Sequence, residues 1–345
     1  MDEKITENKK NYDILDLVKL ILSFMVVAIH AKLFDPYLYP WLRLAVPLFF
    51  MISSYLFFSK VKLCQSKEEK LQALKKFTLR NIYFYAFWFI VLFPLTAILR
   101  GWFNQGILNG IVTILINLFI GSTFVASWFI SALVIGTAIV FLASKKLNNL
   151  ALFIIGAVLY LLISIRSSYM FVFKDWIEML QAVATFEAYL GSPINAFPAG
   201  IFWIICGKIF ADGGFKMKIK PCAVLLGASL GLLLAEWLLL KHFSGNYNKD
   251  FYIMLAPSCL AFFNILINLK PITIKHAQKM RKISAFTYAS HGTLIIALNY
   301  ISKRTVGQLP SVVIFLTTIA ICVGACLLVL LLEKRKYFTW LKYSH

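Results

Sequence analysis

The stretch YDILDLVKLILSFMVVAIHAKLF, Tyr12 to Phe34, decides how the rest of the chain is read. It is an apolar run of about the ~20 residues that cross a bilayer as a helix. Asp13 and Asp16 stand at its start and Lys32 near its end, and Lys19 and His30 are the ionisable groups within the apolar body between them. Eleven residues at roughly 100° each make three turns plus about 20°, so Lys19 and His30 share one face, roughly 16 Å apart along the axis. An ionisable group at membrane depth costs a few kcal/mol and turns toward protein or water rather than lipid. Two on one stripe predict a polar, inward-facing seam. The alternative is that Lys19 snorkels to one interface and His30 to the other.

Composition agrees with a membrane setting. The chain is 60% hydrophobic and only 14% charged, against roughly a quarter charged in a soluble domain. A net charge of +20 would suggest nucleic acid in a soluble protein, but here the basic residues lie in loops and read as topology determinants. Ten spanning runs are expected, at about 13–34, 41–59, 79–99, 128–144, 150–166, 194–211, 221–241, 251–269, 284–302 and 311–333, after a tail at 1–12. The expected fold is therefore all-α and polytopic, one domain over 1–345. The short apolar run 107–121 reads as a re-entrant or interfacial helix on the outer side, with an eleventh span as the alternative.

With the N-terminus cytoplasmic, 25 of the 35 Lys and Arg residues fall inside and 9 outside, leaving Lys19 in the membrane. This bias favours ten helices with both termini inside. The first run follows a mixed-charge tail and lacks a small-x-small cleavage pattern, so it is expected to be an uncleaved helix. Residues 167–193, with Trp176, Glu178, Phe186, Glu187 and Tyr189, are expected on the outer surface as a helix or lid. The basic loop 60–80 reads as a short charged helix, serving topology and lipid attraction or offering a landing surface for an anionic donor. None of the six cysteines falls in a segment placed outside, so no disulfide framework is expected. Cys322 and Cys326 read as packing. No zinc-type spacing, HExxH or glycine-rich phosphate loop occurs, so no metal is expected.

A cation nearer the cytoplasm with an imidazole further out suits group transfer across a membrane. The cation can hold the phosphates or thioester of a donor, and the imidazole can take a proton from an acceptor hydroxyl. By position, His291 is expected near the depth of Lys19, where the two could frame a donor site, or as a satisfied core histidine. Arg43 is expected near the level of His30, to hold the acceptor or stabilise an oxyanion, or to anchor at the interface. Glu236, the one acidic residue deep in an apolar run, is expected to orient His30 or pair with Arg43. Tyr288, Trp128 and Asn264 also fit packing or helix–helix contacts.

Four motifs carry a resemblance: Lys19-LILSFMVVAI-His30, Arg43-LAV-Pro47-LFFMIS-Ser54-YLF, Trp128-Phe129-Ile130 and Ser284-AFT-Tyr288-AS-His291. In order and in helix count the chain resembles the membrane acyltransferase-3 family. That family places a basic residue, ten positions and a histidine in its first helix, followed by a basic-x-x-x-Pro-x-Phe-Phe stretch. Lysine stands here for the signature arginine, which keeps the charge and loses the bidentate fork. Ser54 replaces a glycine, and Ala126 stands where a histidine often precedes the Trp-Phe. Together with Leu255-Ala256-Pro257-Ser258 and Asn264, the motifs also resemble the membrane half of vancomycin-resistance serine racemases, whose soluble domain is not expected in a chain ending at His345.

The resemblance implies an enzyme of a bacterial-type cell membrane. It would move an acyl group, most simply acetyl, from cytoplasmic acyl-CoA to a hydroxyl of a surface or lipid-linked glycan. His30 and Lys19 would be catalytic, with Glu236 added to that set from its position in the sequence and not from the family pattern, and Arg43, His291, Tyr288 and Trp128 would be the substrate-binding set. Acyl-CoA is donor substrate rather than bound cofactor. The bilayer and the saccharide acceptor are the other implied partners, and a homo-oligomer is left open. The competing readings are a carrier of a small amino acid such as serine, and a membrane scaffold.

Overall fold

The computed structural model describes residues 2–33, 38–119, 121–173, 175, 176, 178, 179, 181, 182, 185, 196–243, 250–270 and 272–345. They form helices α1 Asp2–His30, α2 Tyr39–Leu42, α3 Ala45–Lys62, α4 Lys67–Arg100, α5 Ile107–Phe119, α6 Trp128–Ala143 and α7 Asn149–Ser167. After a 3-10 turn at Met170–Phe173 come α8 Pro198–Asp212, α9 Ile219–Phe243, α10 Leu255–Asn268, α11 Ala277–Thr305 and α12 Ser311–Leu332, then a 3-10 segment Lys336–Ser344. There is no strand among the described residues. Each of the ten apolar runs falls on a helix.

Five helical stretches are long and apolar enough to cross a membrane: Tyr39–Lys62, Lys67–Ile98, Asn149–Ser167, Ile219–Phe243 and Ser311–Leu332. Helices α6, α8 and α10 are shorter, at 16, 15 and 14 residues.

Several boundaries differ from expectation for local reasons. The second run is broken after Leu42, because Pro47 has no N–H to offer the carbonyl of Arg43 four residues before it. The expected charged helix in 60–80 and the third span are one continuous helix, α4. It starts where the Ser66 hydroxyl accepts from the Glu69 N–H and the Glu69 carboxylate accepts from the Gln65 N–H. It ends at Gly101, in the left-handed conformation with φ 59°. The ninth helix begins at Ala277, seven residues ahead of the apolar run, because its first two turns are polar and add no hydropathy. In 167–193 the start is a 3-10 turn and Trp176 is exposed. Phe186, Glu187 and Tyr189 lie outside the described residues.

Helix α8 is the core of the bundle. Every side chain from Ala199 to Phe210 is buried, as befits a helix apolar all round. Glycines let its neighbours approach. A Cβ on Gly200 would lie 2.8 Å from the Phe50 ring, and one on Gly207 only 2.0 Å from the Ser54 hydroxyl. Gly136 of α6 and Gly156 of α7 face Ile204 and Ile205 of the same helix.

The contacts also fix direction. On α3 and α8, Phe50 meets Gly200, Ser54 meets Gly207 and Lys62 reaches the Asp212 carbonyl, so these helices run parallel. On α1 and α11, Asp13 meets Ile274, Lys19 meets Ser284 and His30 meets His291, so these too are parallel. The pair α9 and α10 is antiparallel, with Glu236 beside Met254 and Cys222 beside Ala261. So is the pair α11 and α12, where Lys282 meets Glu333 and Ser290 meets Cys322.

Candidate functional site

Helix α1 ends at His30, and a backbone closure follows directly. Lys32 turns left-handed, its N–H bonds to the Ile29 carbonyl at 3.2 Å, and the Leu33 N–H bonds to the Ala28 carbonyl at 2.9 Å. Leu33 and Ala28 pack together beneath this closure. His30 thus sits in the last turn, at the end where a helix favours a cation. Its side chain is exposed.

Against it, 5.0 Å between ring centroids and tilted by 50°, lies His291 of α11. This corrects the expected depth of His291: it faces His30, and Ser284 is the residue level with Lys19, donating to the Lys19 carbonyl at 2.8 Å. Counting from the true helix start at Ala277 puts His291 two turns deeper than counting from the apolar run.

His291 is fully buried, and its Nδ1 lies 2.7 Å from the Tyr288 carbonyl and 3.1 Å from the Thr287 carbonyl. Carbonyls only accept, so Nδ1 carries the proton and Nε2 is the bare nitrogen. That Nε2 is buried and has no hydrogen-bond partner among the described residues.

Aromatic rings wall the pair. Tyr288 is 6.0 Å from His291, 5.7 Å from Phe49 and 5.2 Å from Phe129. Trp128 joins through Phe50 at 6.1 Å. The Tyr288 hydroxyl donates to the Ala126 carbonyl at 2.8 Å, and Ala126 has the left-handed φ of 66°. Close by, Gly292 lies so near Val125 that a Cβ would come within 2.3 Å of it. The segment before Trp128 is thus held against α11 by backbone and packing contacts, at the place where the resemblance leads one to look for a histidine.

Arg43 lies within electrostatic reach of His30. Its carboxylate partner is Asp250, which also accepts from the Tyr39 hydroxyl at 3.3 Å, and the guanidinium lies over the Tyr39 ring at 4.5 Å. Asp250 is a residue that sequence reasoning missed. The available signal is an acid directly before the aromatic start of the eighth run.

Glu236 is not with these groups, which corrects the expected pairing with His30 or Arg43. Its carboxylate accepts from the Ile253 N–H at 2.6 Å, from the Met254 N–H at 2.9 Å and from the Tyr169 hydroxyl. It serves the free N–H groups at the start of α10, which otherwise lack partners. Burial and the neighbouring carboxylate push the Tyr169 hydroxyl up, which keeps it a donor.

At the other end, Lys19 is half-buried among Asp16, Arg80 and Arg281, with Arg281 3.8 Å from the Asp16 carboxylate. At the same end a cavity of about 310 Å³ is lined by Lys67, Lys70, Leu71, Phe141 and Lys145. Among the described residues no group of three or more His, Cys, Asp or Glu could hold a metal ion.

Comparison with known proteins bears on what this arrangement is. The chain is 27% identical over 280 residues to an amino-acid racemase of Enterococcus faecalis, covering 77% of this chain and 37% of that protein. A second amino-acid racemase of the same organism is 26% identical over 309 residues, covering 84% of this chain and 42% of the relative. The chain thus spans about two fifths of the length of these curated relatives. No solved structure matches. Residues 12–331 match the acyltransferase-3 family model, described as an acyltransferase domain. That match takes in both histidines, Lys19, Arg43 and nearly every helix around them, and the chain belongs to the acyltransferase-3 family of membrane proteins.

Proposed function

We propose that this protein moves an acyl group, most simply acetyl, from cytoplasmic acyl-CoA to a hydroxyl of a surface or lipid-linked saccharide. The observation that carries this reading is the pair His30 and His291, with one bare, buried nitrogen, in which His30 stands about three helical turns from Lys19 on α1. An acceptor hydroxyl beside the exposed His30 would lose its proton to it as its oxygen attacks the thioester carbonyl. Arg43 would stabilise the negative oxygen that forms there. Lys19 would hold the donor, with Lys67, Lys70 and Lys145 attracting its phosphates at the cytoplasmic mouth.

The reading includes ten crossings of a bacterial-type cell membrane with both termini cytoplasmic. The parallel pairs α1 with α11 and α3 with α8, and the antiparallel pairs α9 with α10 and α11 with α12, are those that ten alternating crossings require. Labelling of introduced cysteines with an impermeant maleimide tests the orientation. Lys75→Cys is expected to react only after the membrane is opened, and labelling in intact cells would overturn the orientation.

The donor is tested at Lys19. A fixed cation is what phosphates or a thioester carbonyl need, and an arginine binds such oxygens with two parallel hydrogen bonds. Titration calorimetry of acetyl-CoA into detergent-purified protein is expected to give binding heat with wild type and Lys19→Arg, and none with Lys19→Met. Absence of heat from all three would sink the acyl-CoA reading. It would favour the second one, transport of a small amino acid such as serine, to which the names of the two Enterococcus relatives point.

A further inference from the structure

Within the acyl-transfer reading, on which this inference rests, His30 alone would be a sufficient base, and nothing in that role calls for a second imidazole. The structure nevertheless buries one beside it. His291 is fully enclosed, its Nδ1–H is tied to the Tyr288 and Thr287 carbonyls, and its Nε2 has no partner among the described residues. A buried acceptor without a donor is costly and rare in a folded protein. It is explained if the donor arrives during turnover. The ring centroids of His30 and His291 are 5.0 Å apart and no hydrogen bond joins the two rings in this structure, so the exposed His30 ring must reorient to point an N–H at Nε2.

We propose that His291 is the second proton carrier of the site, taking at Nε2 a proton passed on by His30 from the acceptor hydroxyl. As the acceptor O–H bond breaks, its proton goes to one nitrogen of His30 and its oxygen forms the new bond to the acyl carbon. The N–H on the other side of the His30 ring then gives its proton to His291 Nε2. His30 returns to neutral, and the charge rests on His291, whose Nδ1–H is already held by two carbonyls. When the carbon–sulfur bond breaks, the proton returns through His30 to the departing thiolate. The balance is acyl-CoA plus alcohol giving ester plus free thiol, with no net proton change. His30 is the catalytic residue of the pair, and His291 acts through it.

The other charged or titratable groups facing the pair, among the described residues, are Arg43 and Tyr288. Arg43 would make a second positive charge on His30 itself unfavourable. Handing the proton to the buried ring moves that charge away from the guanidinium, while burial itself disfavours a cation on His291, so the transfer is transient and reverses as the thiolate leaves.

The test uses the full chain in lipid nanodiscs with all five histidines labelled with nitrogen-15, each assigned through its His→Gln variant. The expected spectrum has His291 protonated at Nδ1 and bare at Nε2, with His30 and His291 moving together in one pH transition. In His30→Gln the His291 transition should shift away from that midpoint. A proton on Nε2 in wild type, or the same His291 titration with and without His30, overturns the proposal.

The functional arm follows thioester loss from acetyl-CoA. His291→Gln should lower kcat at least about tenfold, below the range for losing a general base outright, and leave the KM for acetyl-CoA unchanged. An unchanged kcat in a folded variant also overturns it. Should His291→Gln fail to fold, its resonance is assigned by elimination from the other four variants and the spectral arm decides. If His30→Ala keeps its turnover, the acyl-transfer reading falls, while the joint titration is still judged by itself.

Discussion

Replacing His30 with alanine is expected to abolish nearly all acyl transfer, by about 10²–10⁴-fold, the usual contribution of a positioned general base. The fold should survive this change. His30 is the last residue of α1, is exposed, and has no hydrogen-bond partner among the described residues. The closure that ends the helix runs through the backbone of Ala28, Ile29, Lys32 and Leu33 and needs nothing from the imidazole. Expression level and melting temperature should therefore stay close to wild type while thioester loss from acetyl-CoA disappears. Full turnover in a well-folded His30→Ala protein would remove the chemical basis of the acyltransferase reading and leave the carrier reading in its place.

The largest stability effect is expected from a single methyl group at Gly207. Its Cβ would fall 2.0 Å from the Ser54 hydroxyl oxygen, 2.5 Å from the Met51 carbonyl oxygen and 3.0 Å from the Tyr55 nitrogen. Two of these three atoms are backbone of α3, which cannot rotate aside, so α3 and α8 must separate along the best-buried contact of the bundle. Overpacking of this kind costs about 1–3 kcal/mol and occasionally more, and Gly207→Ala should be at or above the upper end. Gly227, in α9, has nothing within 4 Å of its Cβ position. There the same substitution should stabilise, by up to about 1 kcal/mol from helix propensity alone. Ser54→Gly should relieve Gly207→Ala only in part, because the Met51 carbonyl remains. Thermal melts of the four proteins in one detergent check this, and equal melting temperatures for the two glycine variants would show that α3 and α8 are not packed as described.

The match between family and chain at Ser54 follows from the same contact. A serine stands where the resembled motif has glycine, and the space is recovered on the facing helix, where position 207 has no side chain at all. The small-residue requirement belongs to the pair of helices rather than to either sequence.

Apolar run length and the polar punctuation between runs were enough to locate ten helices, because hydrophobicity and backbone satisfaction in a membrane are local demands that every segment must meet by itself. The shared face of Lys19 and His30 was equally legible, since helical geometry relates residues of one segment. Partners across segments were not. The sequence put His291 at the level of Lys19 because the polar first turns of α11 hide its true start, and it offered Glu236 to Arg43 because both are charged and both were expected in the outer half. Only the tertiary structure brings His291 to His30, gives Asp250 to Arg43 and turns Glu236 onto the first N–H groups of α10. These choices depend on which faces meet and how closely. In this bundle that is set by glycines such as Gly207 and Gly292, whose meaning appears only when the helix opposite is in place.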